Sequence, residues 1–248
     1  MPPARPKENP LTNFLVNILL PVIALSALGK EGEKMWHIGA AWGMSLAVLL
    51  PLCYGIWYFA RHRAMNPFSL IGLVSVLLTG GITLMVWRAD GSIHEQAALL
   101  FATKEAAIPL VLGITVIVSH FTHTPLIRVF IFNPEIFDLE RIRRALVERK
   151  RENELEGTLW RATLAFGGAF LVSTVLNFAL AYYFLSAVDT VAANAREAYN
   201  DAVARQTLWG FFVIGVPVFV ILIGMLFWLL NRLGQLTGLS RDDLLVAR

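Results

Sequence analysis

The sequence predicts an all-α membrane protein, a polytopic bundle of six transmembrane helices with both ends on the cytoplasmic side. Three observations predict it. Charged residues make up only 16% of the 248 positions, against about 25% in ordinary soluble domains. Apolar residues make up 56%, the mean hydropathy is +0.61, and they gather in long uncharged runs of the kind a bilayer requires. The Lys and Arg residues also divide unequally between the two sides that those runs define. Isolated strands cannot satisfy their backbone groups in lipid, so the runs are read as helices.

One transmembrane domain is expected to cover 1–248, with spans at about 11–28, 36–60, 67–87, 97–119, 158–188 and 207–230. All but the first comfortably meet the roughly 20 apolar residues a span needs. The first has two readings. Arg5 and Lys7 followed by an apolar stretch ending in Ala24-Leu-Ser-Ala27 resemble a secretory signal peptide. Asn13, Asn17 and Pro21 within the stretch favour a retained span instead. Those three residues recur every four positions and share one helix face, so the two amides are expected to hydrogen-bond across helices in the bundle. The fifth span is longer than the hydrocarbon core needs and should tilt or extend past it.

Fourteen of the 21 Lys and Arg fall on one side of this arrangement and five on the other. The positive-inside rule therefore places both termini in the cytoplasm. Between spans four and five, Asn133, Pro134 and Glu135 make a good helix start. Ile136, Leu139, Ile142 and Leu146 then recur at helical spacing, with Glu140–Arg144 and Arg144–Glu148 as i,i+4 pairs. This segment, about 134–156, is expected to be an amphipathic helix on the inner membrane surface; a solvated charged linker is the other reading. The outer segment 189–206 is polar and alanine-rich and reads as a helical extension and turn. In the tail, Ser240 and Asp243 suit a capping box.

The chemistry-bearing residues are few. Lys104 and Glu105 lie within the fourth span, and charges inside a span are costly enough to mark functional candidates. Consecutive helical residues point about 100° apart, so each of the two is expected to need its own partner, or one to face a cavity and the other the interface. A span starting at Ala97 puts Lys104 roughly 10 Å deep; one starting nearer Ala102 lets it snorkel outward. Thr79, Gly80 and Gly81 in the third span and Asn177 in the fifth fall at a similar outer depth. An intramembrane polar site of Lys104, Glu105, Thr79, Gly80, Gly81 and Asn177 is one reading, and glycine-mediated packing is the other. Pro109 frees a backbone carbonyl near that layer.

His62, His120 and His123 lack carboxylate or thiolate partners at ligand spacing, so neither a metal nor a cofactor is expected. No P-loop, nucleophile elbow, zinc-protease or dinucleotide fingerprint occurs, which argues against an enzyme. A net charge of only +3 with no concentrated basic face argues against nucleic acid. The single cysteine, Cys53, permits no internal disulfide. A weak internal repeat at an offset of 124 aligns Trp36, Gly43 and Tyr58 with Trp160, Gly167 and Tyr182, as an inverted-repeat plan would.

Several segments then occur in an informative order. They are Pro51-Leu-Cys-Tyr-Gly55, Arg61-His-Arg63, Val76-Leu-Leu-Thr-Gly-Gly-Ile82, Lys104-Glu-Ala-Ala-Ile-Pro109 and Pro125-Leu-Ile-Arg128, with Asn177, Trp209, Phe212 and Gly215 agreeing more loosely. In this the chain resembles the small polytopic proteins grouped with intracellular septation protein A. The resemblance implies a bacterial inner membrane and a non-enzymatic role in cell-envelope integrity or division. It also implies the lipid bilayer and envelope or division membrane proteins as partners. The charged stretch 135–156 and the outer insert 189–206 depart from that family's compact form. A small transporter or channel built around Lys104 and Glu105 is the competing expectation.

Overall fold

In the computed structural model, residues 12, 15–32, 34–62, 67–122, 125–131 and 137–244 are described. Asn13, Arg63, His123 and the expected helix start Asn133–Pro134–Glu135 lie outside them, as do Arg5, Lys7 and Arg248. Among the described residues the regular structure is all-helical, with no strand longer than isolated bridge residues such as the antiparallel pair Trp87 and Ile93. Four helices are long and apolar enough to cross a membrane, which is the signature of a membrane protein.

The chain runs through α1 (Leu15–Leu28), α2 (Ala40–His62), α3 (Pro67–Val86) and α4 (Ala97–Ser119). The short α5 (Leu126–Ile131) and α6 (Leu139–Glu148) follow, then α7 (Glu152–Ser186), α8 (Ala195–Thr237) and α9 (Arg241–Leu244). Two compact units emerge. The first holds 1–108 and 176–214, the second 109–175 and 215–248. Helices α4, α7 and α8 contribute to both.

In the first unit, α1 carries a wide π turn on each side of a central turn that contains Pro21. Proline has no N–H to donate, and widened turns absorb the missing bond. Val22, Ala24 and Leu25 are its buried face. A side chain on Gly43 would run into the backbone of Gly29, with the Ala24 carbonyl oxygen 2.7 Å away. The two backbones therefore touch directly. Helix α2 starts at Ala40 rather than at the expected 36, because Gly39 adopts a left-handed backbone, φ 86°, that ends the preceding loop.

Helices α3 and α4 are joined by a tight loop. Gly91 at φ 91° turns the chain, the Asp90 carboxylate accepts from Ser92 N at 2.9 Å, and Ile93 N donates to Thr190 O at 2.8 Å. The helix that holds the expected span 207–230 is longer than expected. Helix α8 begins at Ala195, twelve residues before 207, and continues through a π turn at Phe211–Gly215. Its opening turns bury Ala195, Tyr199, Asn200, Ala202, Val203 and Ala204. The segment expected as an outer insert is thus, from Ala195 on, packed protein. The Asn200 side-chain amide donates to Ala40 O at 2.8 Å, tying this stretch to the start of α2.

In the second unit, α4 and α7 meet through Gly113 and Gly167. A side chain on Gly167 would come within 2.5 Å of Ile117, and one on Gly113 within 3.1 Å of Phe170. Small residues let helices approach in this way. Both glycines of the offset-124 pair, Gly43 and Gly167, thus lie at close helix contacts.

The charged stretch corrects the expectation of one surface helix over 134–156. Helix α6 ends at Glu148, and Lys150 takes a left-handed backbone, φ 55°, before α7 opens at Glu152. Lys150 N and Arg151 N close the turn on the carbonyls of Val147 and Leu146. The observed cap of α6 is Asp138, whose carboxylate accepts from Arg141 N at 3.0 Å. Most of its apolar face is covered by the chain itself. Ile142 and Leu146 are buried among Leu229, Leu233, Leu236 and Leu244. Burying one such side chain is worth about 1.5–3 kcal/mol, which is why the helix docks. Arg144 pairs with Glu140 at 2.9 Å; among the described residues it does not pair with Glu148. Ser240 caps α9, accepting from Asp243 N at 3.2 Å and donating to the Asp243 carboxylate at 2.6 Å.

Candidate functional site

The polar centre of the first unit is built where α3, α4 and α8 converge on Lys104. Helix α4 begins at Ala97, which puts Lys104 two turns in, roughly 10 Å along the axis. The side chain does not snorkel to the surface; it is only 4% exposed. Its ammonium donates to Thr79 Oγ1 at 2.6 Å and to Glu105 Oε1 at 2.5 Å. Phe101, one turn earlier on α4, presents its ring face 4.7 Å from Nζ. Such a contact adds cation–π attraction to a desolvated charge.

Here the expectation of separate partners fails. Lys104 and Glu105 leave the helix about 100° apart, but a lysine side chain has four methylenes and can fold back along the axis. Glu105 therefore supplies the countercharge, and Thr79 takes a further ammonium proton. Taking an ion out of water costs several kcal/mol unless charge and hydrogen bonds are both met. Lys104 meets both.

Sequence reasoning placed Thr79 at this depth, and the structure joins it to Lys104. Gly80 serves packing: a side chain there would meet Val48 of α2 at 3.2 Å. Gly81 faces open space, with nothing within 4 Å of the corresponding position. Asn177 on α7 and Asn17 on α1 are half-buried, each with an interaction of its own.

Two contributors escaped the sequence reading. Thr83, one turn after Thr79, is fully buried and donates to Thr79 O at 2.8 Å. Tyr199 packs edge-on against Phe101, with centroids 6.2 Å apart and planes at 88°. Its hydroxyl is buried, directed toward Thr83 but short of hydrogen-bond geometry. No local motif marks Tyr199, which comes from the polar insert about a hundred residues away. Only its spacing with Ala195, Ala202 and Val203 outlines a buried face.

Two cavities of this unit lie toward the loop ends of the helices. One of about 450 Å³ is lined by Asp189, Glu197, Asp201 and Arg205. Another of about 360 Å³ runs along Ala97, Leu185 and Tyr199. Neither is lined by Lys104 or Glu105. No group of three His, Cys, Asp or Glu side chains converges on a metal-sized site among the described residues. His120 packs against Trp160, with ring centroids 4.5 Å apart and planes tilted by 44°. The chain was compared with protein-family models, curated proteins and solved structures, and it matches none of them.

Proposed function

We propose that this protein is a non-enzymatic, six-span protein of a bacterial inner membrane, with both termini cytoplasmic, that supports envelope integrity or division. It would act through a rigid helix framework and its contacts with other membrane proteins. One observation carries the reading. The charge inside the fourth span is spent internally: Lys104 is buried and satisfied by Glu105, Thr79 and the Phe101 ring. A charge so compensated ties α3 to α4. The ordered resemblance to septation protein A-like proteins and the fourteen-to-five bias of Lys and Arg support the setting and orientation. The test is deletion combined with co-purification from mild detergent. Recovery of division or envelope-biogenesis proteins and an envelope defect are expected; no specific partner together with a normal envelope would sink the proposal.

A second reading, a small transporter or channel, draws on one asymmetry. Glu105 is 19% exposed where Lys104 is 4%, and Gly81 leaves open space on α3. It requires ion or solute flux in vesicles carrying the wild-type protein and loss of that flux in Glu105→Gln.

A further inference from the structure

We propose that the second unit carries a binding site for a zwitterionic phospholipid headgroup of the phosphoethanolamine type, between α6 and the first turns of α7. The site is a cavity of about 330 Å³, at the small end of the roughly 300–1,000 Å³ range of ligand pockets. Its floor is apolar: Ile142, Leu146 and Leu159 are buried beneath it and Leu155 is half-buried.

The rim carries both signs of charge. Arg128 and Glu156 pair with each other across it. Arg143 and Glu152 also line it, and among the described residues neither makes an ion pair. An unpaired guanidinium and an unpaired carboxylate over a leucine floor complement a headgroup carrying a phosphate and a primary ammonium. Arg143 recognises the phosphate through charge-assisted N–H donors. Glu152 accepts from the ammonium. A choline headgroup has no N–H to give Glu152, and a purely anionic headgroup meets Glu152 and Glu156 as repulsive neighbours. The first methylenes of the lipid cover Leu139 and Leu155, the half-buried leucines of the lining.

Position agrees with composition. Glu152–Glu156 is the charged opening of α7, and the apolar run starts at Thr158. Just beyond it, the rings of His120, Phe121 and Trp160 cluster, with Phe121 and Trp160 centroids 5.7 Å apart. Aromatic clusters at a polar-to-apolar transition mark headgroup level. The proposal rests on the membrane reading and on nothing about envelope function.

The experiment is native mass spectrometry of the full chain released from nanodiscs. The nanodiscs hold equal parts phosphatidylethanolamine, phosphatidylcholine and phosphatidylglycerol with matched acyl chains. Preferential retention of phosphatidylethanolamine is expected. Arg143→Ala should reduce it at least roughly fivefold, as loss of a charge-assisted contact does. Glu152→Gln should abolish the preference over phosphatidylcholine. Soluble phosphoethanolamine at the same concentration should not compete, because it lacks the chains that cover the floor. Equal retention of the three lipids, retention unchanged in both variants, or full competition by the soluble headgroup would each overturn the proposal. Both substituted side chains are exposed, and unchanged far-UV circular dichroism checks that the variants fold. Carbonate extraction of cell membranes is run in parallel. A protein released by carbonate contradicts the membrane reading itself, whereas a retained protein without lipid preference contradicts only this site.

Discussion

The two units hold their charges in opposite ways. In the first, one ion pair, Lys104–Glu105, is taken out of solvent and completed by a hydroxyl and an aromatic face. In the second, Arg144–Glu140, Arg141–Asp243, Arg232–Glu154 and Arg128–Glu156 all stay substantially exposed. The first arrangement is all-or-none, since losing one member strands a buried charge. The second is a set of small, screened contributions on an apolar framework of leucines. The pair inside the bundle is therefore expected to dominate stability, although the charged stretch is far more conspicuous in the sequence.

The largest effect that would break this comparison comes from Glu105→Ala. Removing the countercharge should cost about 3–5 kcal/mol, read as a fall in unfolding stability in mild detergent. Next come the glycine contacts. Gly43→Ala drives a methyl into the backbone of Gly29, which cannot yield cheaply, whereas Gly167→Ala meets the side chain of Ile117 before any backbone. Overpacking typically costs about 1–3 kcal/mol; Gly43→Ala should lie at or above the top of that range and Gly167→Ala near its bottom, in the same unfolding assay. Lys150→Gly works the other way. Relief of the left-handed backbone, offset by the added freedom of glycine in the unfolded chain, should give a gain of at most about 1 kcal/mol. Arg144→Ala should cost only a few tenths of a kcal/mol, as exposed i,i+4 pairs do.

The smallest effect is a pH dependence. The Ser240 hydroxyl first, and Arg141 after it, hold the Asp243 carboxyl below its ordinary value. A lowered carboxyl contributes stability above its unfolded pKa, near 4, and that contribution is lost as pH falls through the folded value. Amide exchange in α9 should accordingly speed up on acidification below about pH 4, beyond the intrinsic pH effect, and Asp243→Asn should remove the transition. An α9 whose protection is flat through that window would show that the contacts of Asp243 with Ser240 and Arg141 add nothing.

Much of the fold was legible because lipid leaves so few solutions. The run 97–119 is the observed α4, and the all-helical class follows from unbroken apolar length. What was not legible divides by cause. The docking of α6 was hidden because periodicity says which face is apolar but not what covers it. The buried start of α8 was hidden because Arg196, Glu197 and Asp201 make the segment look solvated, while its inner face mixes alanines with the polar Asn200 and Gln206. At the candidate site, depth alone brought Thr79 to Lys104. The pairing of Lys104 with Glu105 was missed because the angle between neighbouring residues was weighed without the reach of the lysine side chain. Tyr199 was missed because nothing local ties it to Phe101.

The most direct test of the central claim, that Lys104 and Glu105 form an internally compensated packing element, is a double-mutant cycle on unfolding stability in one detergent. It uses Lys104→Met, Glu105→Ala and the combined variant. A compensated pair predicts that the combined variant is more stable than Glu105→Ala alone, because the stranded ammonium has gone, with a coupling of at least about 1 kcal/mol. Additive effects, or a Glu105→Ala protein as stable as wild type, would contradict it.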